Sequence, residues 1–498
     1  MATSWNSLSS ADGSYMTLIT VLALTVLWLL WSVSSYFRCR NRLPVPPGNF
    51  GFPFIGQTVE HVLAMSTADG IRMWVQKQIE KHGPLFKFRF AGYPMVMLGD
   101  EEGNKFIFQN DGMSIHTFWP SKIATLFGPH SLLLQSGERH KLLRRHFSKM
   151  FDRAAVSRYI HGVNRNTIRH FTNHWQGKEQ LAALDMTNLH TFSTICSLVL
   201  SLEEGPLMDK TLEALQTWLR GIFSLPINLP GFDYYAALKS RGLIFEVFDR
   251  LMEQRRQEIA EDRVPEASQT DFLNWMLTVP DEEGNMFQDS FIRDNLLLLL
   301  VAAFETTSAT LAMTIFYIAK NPHVYEQILQ EQKLISDEKC SSGKDENAMT
   351  MEDISAMKYT WKVIQEVLRL QPPVVGSYRK TATDLEYKGY LIPRGWLLNW
   401  NTQYTHYNPE SFKDPLTFDP SRWETRPPPF TYLPFGGGIH SCPGNEFAKM
   451  SMLTFIHHLV RNFSWSLVDA NYDGPFIRDP CSRPPDKVLI SVKQITAS

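Results

Sequence analysis

The chain has 498 residues, 44% of them hydrophobic, and a formal net charge of −2. That length supports a large core and by itself allows roughly two to four domains, while near-neutral charge gives no global signal for a nucleic-acid partner. Five scattered cysteines (Cys39, Cys196, Cys340, Cys442, Cys481) offer neither a CxxC zinc pair nor a disulfide framework, which fits a reducing compartment.

Residues 15–37 carry no charge and are rich in Leu, Val, Ile and Trp. Such a run is long enough to cross a hydrocarbon core of roughly 30 Å as a helix. A cleaved signal peptide has a shorter apolar region that follows basic residues. Here Arg38, Arg40 and Arg42 come afterwards, so the positive-inside rule puts the remainder in the cytosol. The stretch Leu43-Pro44-Val45-Pro46-Pro47-Gly48 then reads as a stiff, non-helical hinge. With no internal repeat or mid-chain linker, we divide the chain into a membrane anchor (1–42), a proline-rich hinge (43–49) and one large domain (50–498). The sequon at Asn462-Phe463-Ser464 would go unused in a cytosolic domain.

Residues 85–98 alternate apolar and polar in short runs broken by Gly92 and Pro94, which predicts a strand pair. Beyond it the chain is mostly helical. His140 and Arg144 are four apart and share one helix face, within the basic stretch from Gly137 to Arg145. Leu225-Pro226-Ile227-Asn228-Leu229-Pro230-Gly231-Phe232 is an apolar loop between helical stretches, unusual for a surface facing water. Residues 290–320 read as one long helix, capped by Asp289 or Ser290 and stopped by Asn321-Pro322. Its apolar run from Leu296 to Val301 has no polar gap, so it crosses the core, while Arg293, Asp294 and Glu305 argue against a second membrane span. Glu305, Thr306 and Thr307 in that helix need partners or a task, although a threonine can bond back to the preceding turn.

Glu366 and Arg369 lie at i, i+3 on a helix over 359–370 that ends before Pro372-Pro373. Val374-Val375-Gly376-Ser377-Tyr378-Arg379 and Phe418-Asp419-Pro420-Ser421-Arg422-Trp423 follow. Near the C-terminus stands Phe435-Gly436-Gly437-Gly438-Ile439-His440-Ser441-Cys442-Pro443-Gly444. Consecutive glycines let a backbone approach a flat object closely. An amphipathic helix is predicted over 446–460, so Cys442 sits just before a helix N-terminus, where unpaired N–H groups and the dipole favour a thiolate.

Phe435, Gly438, Cys442 and Gly444 match Phe-x-x-Gly-x-x-x-Cys-x-Gly, and this loop resembles the haem-binding loop of the cytochrome P-450 monooxygenases. The resemblance implies a mainly α fold with a smaller β region, here behind a single N-terminal transmembrane helix. It implies haem b held by Cys442, with His140, Arg144, Arg379 and His440 meeting the propionates and Phe435 flanking the loop. Glu305 and Thr306 look like the acid–threonine pair beside bound dioxygen; Ala303 stands where glycine is usual. Glu366, Arg369 and Arg422 look like the family's buried ion network, which is structural. No flavin or Rossmann signature is found, so the resemblance implies electrons from an NADPH–cytochrome P-450 reductase, a site on the endoplasmic reticulum membrane lipid, and dioxygen with a small apolar substrate. His440-Ser441-Cys442-Pro443-Gly444-Asn445-Glu446 is similar to plant abscisic-acid hydroxylases. Met357-Lys358-Tyr359-Thr360-Trp361 and Pro372-Pro373-Val374-Val375-Gly376 resemble plant triterpenoid and taxoid oxidases. The expected substrate is therefore terpenoid, steroid or a related hormone. Two alternatives stay open: a peroxide rearrangement of the allene oxide synthase kind, and a haem-based ligand-binding protein without turnover.

Overall fold

A computed structural model describes residues 43–495 apart from short breaks (53–54, 66, 68–69, 152, 473–476, 479–481 and 484–486), with isolated positions between Ile19 and Leu27. The expected membrane anchor lies outside the described residues.

Helices dominate, and a five-stranded sheet forms one side. The expected strand pair is β1 (Leu85–Phe90) and β2 (Tyr93–Leu98). They turn at Ala91 and Gly92, both at positive φ (50° and 82°), the combination a two-residue hairpin turn requires. The other strands are β3 (Ile115–Thr117), β4 (Gly376–Thr381) and β5 (Leu397–Asn401), and the order is β1-β2-β5-β4-β3. β2 and β5 run parallel with Met95 opposite Leu397, while β3 and β4 run antiparallel with Thr117 opposite Arg379. That last register matters, because it puts Arg379 beside the segment that leads out of the helix Glu101–Asn110. The proline segment is docked on this region: the Lys87 N–H donates to the Pro47 carbonyl (2.7 Å) and the Leu391 N–H to that of Pro44 (2.8 Å).

The predicted long helix runs Asp289–Lys320, with Gln288 rather than Asp289 at its N-cap. Leu296, Leu297, Leu300, Phe304, Leu311 and Ile315 are all fully buried, so it is enclosed on several faces. Among the described residues it alone is long and apolar enough to cross a membrane, but 67% of its most apolar window is buried inside the protein. Its early polar residues fasten the segment that precedes the basic helix Gly137–Phe151. Asp294 accepts the His130 N–H (3.0 Å), and Asn295 accepts that of Leu132 (2.9 Å). Gly128, at φ 92°, lies so close that a Cβ there would meet Asp294 Oδ1 at 1.9 Å.

The helix predicted over 359–370 is Lys358–Leu370, and Glu366 and Arg369 on it have no exposed side-chain surface. Arg369 Nε and Nη2 donate to the two Glu366 oxygens (2.9 and 2.8 Å) as a bidentate pair. The Arg422 Nε, Trp423 Nε1 and Asp419 N–H groups complete the shell of that carboxylate at 3.0–3.1 Å. The expected network therefore forms.

Candidate active site

The cysteine loop is closed by its own backbone. The Cys442 N–H donates to the Phe435 carbonyl (2.9 Å), and the Ser441 N–H to that of Gly438 (3.2 Å). Gly436 and Gly438 both take positive φ (68° and 67°). A Cβ at Gly437 would meet the Phe108 ring at 2.7 Å, so the loop lies flat against that side chain. Phe435 is half-buried against the main core. The helix that follows is Asn445–Asn462, N-capped by Gly444.

Cys442 is a free, partly open thiol. Burial pushes its thiol up from the usual range, with the Gly444 N–H and the Arg144 charge acting in the opposite direction. The expectation that the helix N-terminus by itself favours a thiolate is thus reversed in the protein alone. A metal ion bound by this sulfur would supply the missing charge, since a ligating thiol is deprotonated outright.

The structure brings four of the expected groups together. His440 Nδ1 lies 3.1 Å from His140 Nε2, with ring centroids 3.9 Å apart. Arg144 is half-buried, and its guanidinium feels the Cys442 sulfur. Among the described residues it has no carboxylate partner. Neighbouring Arg145 points away and pairs with Glu282 at 3.2 Å. Burial, with Arg144 and Arg379 beside it, pushes His140 down to about 4; burial, Arg379, His140 and Arg144 push His440 down to about 3. The protein groups around them thus hold both imidazoles neutral near pH 7.

Arg379 is engaged by a residue the sequence reading missed. Its Nε donates to Asp111 Oδ2 (2.9 Å), and Asp111 Oδ1 stands 3.6 Å from His440 Nε2. Asp111 carries no local signal: within Asn110-Asp111-Gly112 it looks like an ordinary turn residue. His406 was missed too. Its Nε2 accepts the Leu433 N–H (2.9 Å) while its Nδ1 meets the Arg369 carbonyl (3.1 Å), so it ties the buried ion network to the start of the cysteine loop.

On the central helix, the Thr306 hydroxyl donates to the Ala302 carbonyl (2.7 Å). That is the back-bond of a helical threonine. Yet Ala302 is exposed, and Leu298, Leu299, Ala303, Glu305 and Thr306 are only partly covered, within a helix otherwise mostly buried. Spacings of three and four place these residues on one stripe. Protein atoms leave that stripe open.

These residues fit a haem. Among the described residues, the half-buried free Cys442, the half-buried Arg144 without a carboxylate, and the buried His140 Nδ1 have no partner of this kind. Iron and two propionate carboxylates are partners of the right kind.

Comparison with known proteins agrees. The family model for cytochrome P-450 matches residues 46–491. A taxane 13-alpha-hydroxylase from Taxus cuspidata is 35% identical over 434 residues, 86% of this chain and 88% of the relative. A beta-amyrin 28-monooxygenase from Saponaria officinalis is 34% identical over 458 residues, 90% and 91% of the two chains. A retinoic-acid-bound cyanobacterial protein superposes with a TM-score of 0.81 at 28% identity, covering 91% of this chain and all of the other.

Proposed function

Because the chain belongs to the cytochrome P-450 family, we propose that it is a haem-thiolate monooxygenase that hydroxylates an apolar, isoprenoid-derived substrate, with Cys442 as the residue that would hold the iron of haem b. The observation that carries this reading is the free, half-buried Cys442 beside Arg144, which has no carboxylate partner among the described residues, at the foot of the helix Asn445–Asn462. The substrate class draws on two relatives, whose names specify a taxane and beta-amyrin.

Bound haem supplies dioxygen binding and activation. The chain's own residues do the rest. His140, Arg144, Arg379 and His440 hold the propionates, and the Phe435 carbonyl fixes the backbone of Cys442. Thr306, with Glu305 next to it, lies on the uncovered stripe and delivers protons there through Oγ1. To donate to a ligand, that hydroxyl leaves the Ala302 carbonyl. The aliphatic side chains of Leu298 and Leu299 exclude water from the same face.

Electrons come from a separate NADPH–cytochrome P-450 reductase. The domain sits on the cytosolic side of the endoplasmic reticulum membrane, held by residues 15–37. Exposed apolar groups support contact with membrane lipid: Leu225 (70%) and Leu229 (59%) on the apolar loop, and Val59 (61%) and Leu63 (62%) on the helix Thr58–Met65.

The haem–carbon monoxide complex of the reduced protein should show the red-shifted Soret band of thiolate ligation, and Cys442→Ser should lose it. An unchanged band in Cys442→Ser removes the reading. Taxane and triterpene substrates supplied with reductase and NADPH should gain the mass of one oxygen. Removal of residues 1–42 should release the protein from membranes with its haem in place; loss of haem would show that this segment belongs to the core.

A further inference from the structure

Asp111 ends the helix Glu101–Asn110 as its C-cap and has no exposed side-chain surface. Burying a carboxylate is costly unless its oxygens are matched. One oxygen is matched: Oδ2 takes the Arg379 Nε hydrogen at 2.9 Å, and the β3–β4 register holds Arg379 there. The other is not: Oδ1 is buried without a hydrogen-bond partner among the described residues. The Gly112 N–H and His116 lie near the same carboxylate, and His440 Nε2 stands 3.6 Å from Oδ1. His440 in turn meets His140 through its other nitrogen, and the remaining nitrogen of His140 is buried and unpaired. One carboxylate thus touches both a cation and the first ring of an imidazole string. The outer ring of that string, His140, lies beside Arg144 and Arg379, the cations assigned to the propionates.

We propose that Asp111 is the positioning residue of the cofactor-carboxylate site: it aligns Arg379 through Oδ2 and orients the His440–His140 string through Oδ1. The inference rests on the haem reading above. It extends to these rings what holds for metal-ligating histidines, where a carboxylate behind the imidazole fixes its orientation and tautomer and its loss weakens metal binding about 10–100-fold. Asp111 touches neither substrate nor iron in this scheme. Its charge opposes those of Arg379 and Arg144, so the charge felt by the haem also depends on it.

The test uses full-length, haem-loaded protein: wild type, Asp111→Asn, Asp111→Glu, Arg379→Gln and Arg379→Gln/Asp111→Asn. The rate of haem transfer to an excess of scavenging apoprotein and the ferric–ferrous reduction potential at one fixed pH are measured for each. Asp111→Asn should release haem about tenfold faster and shift the potential positive, because a buried negative charge is gone. Asp111→Glu should restore the potential towards wild type. Should Asp111→Asn fail to fold because Arg379 is left unpaired, the Arg379→Gln pair decides, since neither of its members buries that lone cation. In that background Asp111→Asn should still speed haem release, through His440 alone. Equal release by Arg379→Gln and Arg379→Gln/Asp111→Asn overturns the proposal, as does a folded Asp111→Asn with wild-type release and potential. A wild-type protein without thiolate-ligated haem would instead overturn the haem reading.

Discussion

Thr306 shows how one atom can serve two purposes. Its Oγ1 donates to the Ala302 carbonyl at 2.7 Å, and Thr310 and Thr314 repeat the same bond one and two turns later, each at 2.8 Å. For the latter two the bond is sufficient explanation, since both are buried. Thr306 differs by surroundings alone: it lies on the uncovered stripe next to exposed Ala302. Removing its hydroxyl therefore costs little stability, because the Ala302 carbonyl keeps its helical hydrogen bond. We expect Thr306→Ala to bind substrate and accept electrons, while product formed per NADPH falls by about 100-fold, the lower end of what a positioned proton donor contributes. Ser308 is buried and bonds to the Glu305 carbonyl (3.2 Å), so Ser308→Ala should leave coupling near wild type. Equal coupling in the two variants would reduce Thr306 to a helix back-bond.

The helix Lys358–Leu370 and the cysteine loop work as a joined pair of elements. Glu366 accepts from Arg369, Arg422, Trp423 and the Asp419 N–H, and Arg369 Nη1 reaches the carbonyls of His406 (2.8 Å) and Pro415 (2.7 Å). His406 then accepts the Leu433 N–H, two residues before Phe435. The loop that presents Cys442 is thus suspended from a buried ion pair. Breaking such a pair on one side leaves an uncompensated charge and costs about 3–5 kcal/mol. Glu366→Gln should lower unfolding free energy by about that amount, measured by urea titration, while Glu138→Gln, in an exposed pair with Lys141, should change it by less than about 0.5 kcal/mol. A Glu366→Gln midpoint equal to wild type would show that the pair is replaceable. Much of this was legible beforehand, because Glu366, Arg369, Arg422 and Cys442 sit in local patterns of fixed spacing. So were the long helix, from its unbroken apolar run, and the hairpin at Gly92. Asp111 and His406 were not legible, since each acts only on residues distant in sequence: Arg379, His440 and Leu433. The neutrality of His140 and His440 was hidden for the same reason, because burial is a property of the packed structure.

At the scale of the whole molecule, buried histidines link stability to pH. His190 and His458 lie between the helices Arg153–His170, Ala183–Leu200 and Asn445–Asn462, and burial pushes both imidazoles down to about 3. His406 is also pushed down to about 3, and His170 and His457 well below the usual range, again chiefly by burial. In the unfolded chain each returns to roughly 6.5. Between those values the unfolded state binds more protons, so stability rises with pH. It is fully present above about pH 6.5 and drains away as pH falls towards 3, by about 1.4 kcal/mol per pH unit for each such group. His190 gives the cleanest test. Neither of its ring nitrogens has a hydrogen-bond partner among the described residues, and the ring packs against Phe455 at a centroid distance of 4.8 Å. Phenylalanine fits that apolar contact without the proton. We expect His190→Phe to keep its haem and its stability at pH 7.5, and to lose about one proton from the slope of unfolding free energy between pH 6.5 and 5. Urea titrations of both proteins across that range measure the slope directly. An identical slope would mean that His190 is already protonated in the folded state, or that carboxylates alone govern the acid limb.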